Sequence, residues 1–299
     1  MRRSYRSDDF PASRVLEIKK GRRVSVCLPA RDEEATVGHI VATIRRELME
    51  KAAIVDEIVV INDGSRDRTA TVAAAAGATV VAVSDVLVDH AGNGKGQAMW
   101  KGVHVSTGDV VVFCDADIRR FEPGFVLGLA GPLLARDDIV FVKGFYQRGL
   151  DGRTGEGGRV TELMARPLIS TFFPHLADLA QPLSGECAAR REVLEALPFV
   201  GGYGVDLGLL IDVVEQFGNS ALVQVDLVER VHRNRPLAEL GPQALAILQV
   251  VLARAGIQDV AGNGFPWTTQ LLRPGADPTA VTFVELPPLA EVPAHRKTA

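Results

Sequence analysis

Val110-Val111-Val112-Phe113-Cys114-Asp115-Ala116-Asp117 runs four apolar residues and a cysteine into two aspartates with one residue between them. A continuous apolar run of this length reads as a strand covered on both faces, as in a parallel α/β sheet. The aspartates fall at or just past its C-terminal end, where open α/β sheets bind their ligands. Residues i and i+2 of an extended chain point the same way, so Asp115 and Asp117 can converge on one point. Two carboxylates placed so repel each other unless a cation lies between them, and their oxygens suit Mg²⁺ or Mn²⁺. The plainer reading is a strand ending in a polar turn. An isolated Asp-x-Asp does not decide between the two.

The segments on the N-terminal side give the stretch its context. Residues 23–29 form an apolar strand ending in a turn, and residues 30–37 open a helix with acidic residues in its first turn. Ile40, Ile44 and Leu48 continue that helix at helical spacing. Residues 57–62 are a second buried strand, followed by the turn Asp63-Gly-Ser-Arg-Asp-Arg-Thr69 and an alanine-rich helix; residues 79–83 are a third strand. Strand, turn, helix and strand in repetition are the signature of a parallel α/β sheet. Neither the dinucleotide-binding glycine pattern nor a P-loop is present. Gly92-Asn-Gly-Lys-Gly96 puts three glycines around Lys95, a loop whose backbone can approach a ligand closely. Trp100, on the helix that follows, reads as a core residue.

Beyond the Asp-x-Asp stretch, residues 139–146 are another strand and residues 147–156 a polar, glycine-rich loop expected to be mobile. Gly157-Gly-Arg-Val-Thr161 starts a helix directly after two glycines; its unbonded N–H groups together with Arg159 would hold an anion, or it is an ordinary helix start. Residues 182–187 read as a turn before a helix. Gly201-Gly-Tyr-Gly-Val-Asp206 is a glycine-rich turn entering the apolar helix 207–214, with Asp206 as an alternative cap. Residues 221–227 are a strand and 245–255 a helix. Residues 1–21 are expected to be a mobile arm carrying the amphipathic piece 15–18, and residues 293–299 to be disordered.

Composition limits the function classes. The 299 residues are 47% apolar and 23% charged, ordinary for a globular protein with a sizeable core. Net charge is −4, with no basic stripe, so nucleic acid is not an expected partner. Cys27, Cys114 and Cys187 lie far apart and read as buried small hydrophobes. Residues 1–13 lack the apolar core of a signal peptide, and no apolar run approaches the roughly 18 residues of a membrane span, so no membrane association and a cytoplasmic location are expected.

Leu28-Pro-Ala-Arg-Asp-Glu33, Asn62-Asp-Gly-Ser65, Gly94-Lys-Gly96 and Asp115-Ala-Asp117, in that order, resemble glycosyltransferases of the GT-A type. In the second half, Gly158-Arg-Val-Thr-Glu-Leu163, Gln181-Pro-Leu-Ser-Gly-Glu186, Gly202-Tyr-Gly-Val-Asp206 and His232-Arg-Asn-Arg-Pro236 are similar to the glucosyl-3-phosphoglycerate synthases. The resemblance runs from about Val24 to Ile257. It implies an α/β GT-A fold: a Rossmann-like, mostly parallel sheet flanked by helices, with a C-terminal acceptor-binding portion. The implied division is an arm over residues 1–22, a nucleotide-sugar-binding half over 23–146, an acceptor-binding half over 147–260 and an extension over 261–299.

The resemblance also implies roles. Pro29, Ala30, Arg31 and Glu33 would border uridine, with Asp63 reaching the same nucleotide. Lys95 would meet the donor phosphates. Asp115, Ala116 and Asp117 form the donor motif; Asp117 and His232 would hold Mg²⁺ or Mn²⁺. Gly158, Arg159, Thr161 and Asn234 would bind the acceptor's phosphate and carboxylate. Asp206 falls where the family usually has Glu, near the sugar, and joins Asp117 and Lys95 as a catalytic candidate. The implied reaction moves glucose from UDP-glucose to the 2-hydroxyl of D-3-phosphoglycerate with retained configuration, in a homodimer. The alternatives are a mannosyl version using GDP-mannose, a polyprenyl-phosphate sugar synthase, and a non-catalytic sugar-nucleotide sensor on the same fold.

Overall fold

The computed structural model describes residues 2–92, 94–150, 153–154, 158–230, 237–257 and 270–296. In chain order its first half holds β1 (Ser4–Arg6), α1 (Ala12–Lys19), β2 (Val24–Ala30), α2 (Val37–Ile44), β3 (Glu57–Asn62), α3 (Thr69–Ala76), β4 (Thr79–Ala82), α4 (Lys95–Val105), β5 (Val110–Phe113) and α5 (Gly124–Ala135). Then follow β6 (Phe141–Leu150), β7 (Arg153–Thr154), α6 (Arg166–Phe172), β8 (Cys187–Arg190), α7 (Arg191–Ala196), β9 (Phe199–Val200), α8 (Val205–Phe217), β10 (Leu222–Arg230) and α9 (Leu237–Arg254). The C-terminal part adds β11 (Gln270–Arg273), β12 (Ala276–Ala280), β13 (Glu285–Leu286) and α10 (Pro293–Arg296).

The main sheet runs β1-β10-β6-β8-β5-β2-β3-β4, with β7 folded back on β6. Every neighbour on the path is parallel except β8, which lies antiparallel between β5 and β6. The apolar runs are explained by burial on both faces. Val24, Val26 and Leu28 of β2 and Val110 and Val112 of β5 join the core under α1, α2 and α5. Cys27, Val111 and Phe113 join the core under α4, α6 and α8. Alternation within each strand therefore sorts one apolar run into two cores. Trp100 belongs to the second core, fully buried, with its indole N–H donating to Pro287 O at 2.9 Å. All three cysteines are buried and none forms a disulfide, and burial pushes the Cys27 and Cys187 thiols up to about 12, so they are packing residues.

Several expectations are corrected. The N-terminal arm is part of the sheet: β1 pairs with β10, Ser4 opposite Gln224, and the buried Arg2 guanidinium donates to Leu222 O and Asn219 O. Acidic residues 32–34 precede α2, which begins at Val37; they bond to the neighbouring loop instead of to a helix start. Residues 147–150 continue β6, and Arg153–Thr154 pairs back on it, where a loop was expected. The turn 182–187 enters a strand, because Cys187-Ala-Ala-Arg190 fills the gap between β5 and β6. At the C-terminus, β13 pairs with β9, and Leu286, Leu289, Val292 and His295 are buried, so residues 293–296 form the short helix α10 anchored by His295. Residues 297–299 lie outside the described residues. Among the described residues no helix is long and apolar enough to cross a membrane.

Candidate active site

The chain leaves β2 toward β3 and β4, then returns to β5 on the other side of β2. That reversal is the topological switch point at which open α/β sheets bind ligands. The ends of β2, β3 and β5, the starts of α4 and α8, and the helical turn at Arg159 surround one cavity of about 720 Å³. This lies within the ~300–1,000 Å³ range of ligand pockets. Its wall holds Pro29, Ala30, Arg31, Glu33, Asp63, Lys95, Asp115, Ala116, Asp117, Gly158, Arg159, Thr161 and Asp206. His232 and Asn234 lie outside the described residues.

The loops after β2 and β3 are stitched together. Asp32 N donates to Ser65 Oγ at 3.1 Å, Arg66 N to Asp32 Oδ1 at 2.7 Å, and Glu33 N to Thr69 Oγ1 at 2.8 Å. Pro29, Ala30 and Arg31 are thus held beside Asp63. Asp63 Oδ2 accepts from Gly94 N at 2.9 Å and lies 3.8 Å from Arg31 Nη1. Asp63 Oδ1 is buried and accepts no hydrogen bond among the described residues. Burial raises the Asp63 pKa, against the opposing pull of the Gly94 N–H, Arg31 and Lys101.

The glycines around Lys95 serve the protein's own packing. Gly94 N bonds to Asp63, and Gly96 N and Gln97 N donate to Gly202 O and Gly201 O. A Cβ on Gly96 would stand 1.7 Å from Val200 O. The expected close backbone approach is therefore made to the turn before α8, which leaves the Lys95 side chain to face the cavity. Lys95 is the first residue of α4; its Nζ lies 3.1 Å from Asp115 Oδ1 and 3.0 Å from Asp206 Oδ2. Burial opposes its charge, but Asp115, Asp206 and Glu186 outweigh it and hold its pKa well above the ordinary lysine value. Asp206, in the first turn of α8, is also met by Lys143 Nζ at 3.1 Å from Oδ1. Lys143 and Glu186 are both buried, and the sequence marks no role for Lys143 and shows Glu186 only as the end of the Gln181–Glu186 motif. The signal for Lys143 was a lone cation inside the apolar run of β6.

Asp115 and Asp117 are half-buried at the end of β5, and Thr36 Oγ1 donates to Ala116 O at 2.6 Å, fixing the turn between them. Asp117 supplies a hard carboxylate oxygen at the cavity wall, which fits Mg²⁺ or Mn²⁺. Among the described residues no three His, Cys, Asp or Glu side chains converge, so substrate phosphates and residues beyond the described ones would complete such a sphere. Gly185 packs against Asp115: an added Cβ would stand 2.1 Å from both carboxylate oxygens. Gly185→Ala is therefore expected to turn Asp115 off Lys95 and to lower kcat/KM roughly five- to hundredfold, the size of a ~1–3 kcal/mol overpacking strain carried into the site. Steady-state kinetics beside a melting curve check this; unchanged kcat/KM contradicts it.

At the cavity's third helix start, Gly158 has φ +90°, and the helical turn begins at Arg159. The winding over Thr161–Ala165 is a π-turn before α6, a form frequent where helices carry sites. Arg159 is half-buried and Thr161 buried. A guanidinium and a hydroxyl at a helix start suit an anionic group.

The profile of glycosyl transferase family 2 matches residues 25–197. Glucosyl-3-phosphoglycerate synthase of Petrotoga mobilis is 39% identical over 99% of this chain and 96% of its own. A crystal structure of the Mycobacterium tuberculosis glucosyl-3-phosphoglycerate synthase with Mn²⁺, UDP-glucose and phosphoglyceric acid superposes with a TM-score of 0.85 at 39% identity, covering 96% of this chain and 98% of that one. Mannosyl-3-phosphoglycerate synthase of Rubrobacter xylanophilus superposes with a TM-score of 0.87 at 37% identity, covering 97% of each chain.

Proposed function

Because the chain belongs to glycosyl transferase family 2 and has the GT-A fold, we propose that it transfers glucose from UDP-glucose to the 2-hydroxyl of D-3-phosphoglycerate with retained configuration, giving glucosyl-3-phosphoglycerate. The observation that carries this reading is one cavity that holds both Lys95 with Asp117 and Arg159 with Thr161. The first pair suits a diphosphate, the second a compact anion. The curated relatives named glucosyl-3-phosphoglycerate synthase favour glucose over the mannosyl alternative.

The geometry of the described residues supports the roles of Asp63, Lys95, Asp117, Arg159 and Thr161, and the family resemblance adds His232 and Asn234. Asp63 Oδ1 is a buried acceptor that the N3–H of uracil would satisfy, with the stitched loops around Pro29–Glu33 as the rim of the base site. Lys95 places an ammonium where charge grows on the leaving diphosphate. A divalent ion held by Asp117 and His232 would add positive charge against the same diphosphate. Arg159 and Thr161, with Gly158 beside them, would grip the acceptor so that its hydroxyl faces the sugar, and the resemblance adds Asn234 to that set. Both Asp206 oxygens are engaged by ammonium groups, which makes it a poor nucleophile. Attack of the acceptor on the face the diphosphate leaves therefore suits this site better than a covalent glycosyl–Asp206 intermediate.

UDP is expected to bind at least about tenfold more tightly than GDP, a difference of ~1.4 kcal/mol, measured by calorimetry in Mg²⁺. Tighter GDP binding would move the assignment to GDP-mannose. The reading extends to a homodimer, which light scattering checks, and to the cytoplasm, where buried thiols stay reduced.

A further inference from the structure

We propose that Lys143 is a positioning residue for the transfer step, acting through Asp206. The inference rests on the reading of this cavity as a sugar-transfer site. Lys143 lies in β6 with 1% of its surface exposed and is not part of the cavity wall. Its Nζ donates to Ser184 O at 2.7 Å and to Asp206 Oδ1 at 3.1 Å. Ser184 Oγ in turn donates to Gly144 O, so the carbonyl that receives the ammonium is tied back to the same strand.

A buried ammonium is costly to desolvate, and replacing a buried ion pair by apolar side chains is often neutral or stabilising. Phe141 and Val142, just before Lys143 in β6, are buried and apolar, so the strand itself has no need of a cation. What the cation adds is a second anchor on Asp206. Asp206 Oδ2 is held by Lys95, which also holds Asp115 and is the cation placed to meet a diphosphate. A carboxylate anchored only by Lys95 would follow that ammonium when it moves. Anchored through Oδ1 by Lys143, whose own seat is the Ser184 carbonyl, Asp206 keeps its place at the cavity wall. The row Lys143–Asp206–Lys95–Asp115 thereby ties β6, α8, α4 and the end of β5 into one alternating series of charges.

The test is a double-mutant cycle on the full chain with UDP-glucose, D-3-phosphoglycerate and Mg²⁺, beside UDP binding by calorimetry. Lys143→Met is expected to lower kcat about tenfold or more while UDP affinity stays within about twofold of wild type. In an Asp206→Asn background the same change should cost less than about twofold, because the residue through which it acts is already altered. Lys143→Gln, which retains a hydrogen-bond donor, is run in parallel and read by the same split should the methionine variant not fold. Wild-type kcat in the Lys143 variants, equal losses in both backgrounds, or loss of UDP binding in step with kcat would each overturn the inference. A wild-type protein that transfers nothing to 3-phosphoglycerate overturns the functional reading itself, and is distinct from an active wild type with unaffected variants.

Discussion

Asp117→Ala is expected to lower kcat by about a thousandfold, the loss of ~4 kcal/mol of charge stabilisation at the leaving diphosphate. The melting temperature should change little, because Asp117 is a half-buried turn carboxylate whose side chain adds nothing to either core. The same account requires that wild-type activity vanish in EDTA and return with Mg²⁺ or Mn²⁺. In the variant, added metal should restore little, since the ligand itself is missing. The kinetic series in EDTA and in either metal is the check. Full turnover in EDTA, or an Asp117→Ala enzyme with wild-type kcat, would contradict the placement of metal chemistry at the end of β5.

Arg159→Ala is expected to raise the KM for 3-phosphoglycerate roughly ten- to hundredfold, from loss of a charge-assisted hydrogen bond worth about 1.5–3 kcal/mol. The KM for UDP-glucose should move little, because the diphosphate is assigned to Lys95 and Asp117. Glycerate without its phosphate should be a poor acceptor for the wild type and should distinguish the variant far less. Kinetics with both acceptors decide it. An unchanged acceptor KM in the variant, or equal use of glycerate by the wild type, would remove the acceptor assignment and leave a sugar transferase of another acceptor class.

The readable parts of the chain were those in which one physical constraint acts along a continuous segment. β2, β3 and β5 are buried on both faces, so their apolar runs stand out, and Asp63, Asp115 and Asp117 follow where such strands end. The unreadable parts depend on partners remote in sequence. β1 is three polar and aromatic residues that become a strand only because β10 offers an open edge. β8 is short and alanine-rich, and its strand character comes from β5 and β6 on either side. The C-terminal segment carries no periodic apolar pattern, yet Val284 O receives Gly201 N at 2.8 Å, and Val281, Thr282 and Val284 line the cavity. Lys143 is a lone cation in an apolar strand, and Asp206, 63 positions away, is what explains it.

Incubating the protein with UDP-glucose, D-3-phosphoglycerate and Mg²⁺, and following the anomeric proton of the product by NMR, tests the transfer itself. The account predicts a glucosyl-3-phosphoglycerate whose anomeric coupling matches the α configuration of the donor, with UDP released in equal amount. No transfer from UDP-glucose, transfer only from GDP-mannose, or a product of inverted configuration would contradict it.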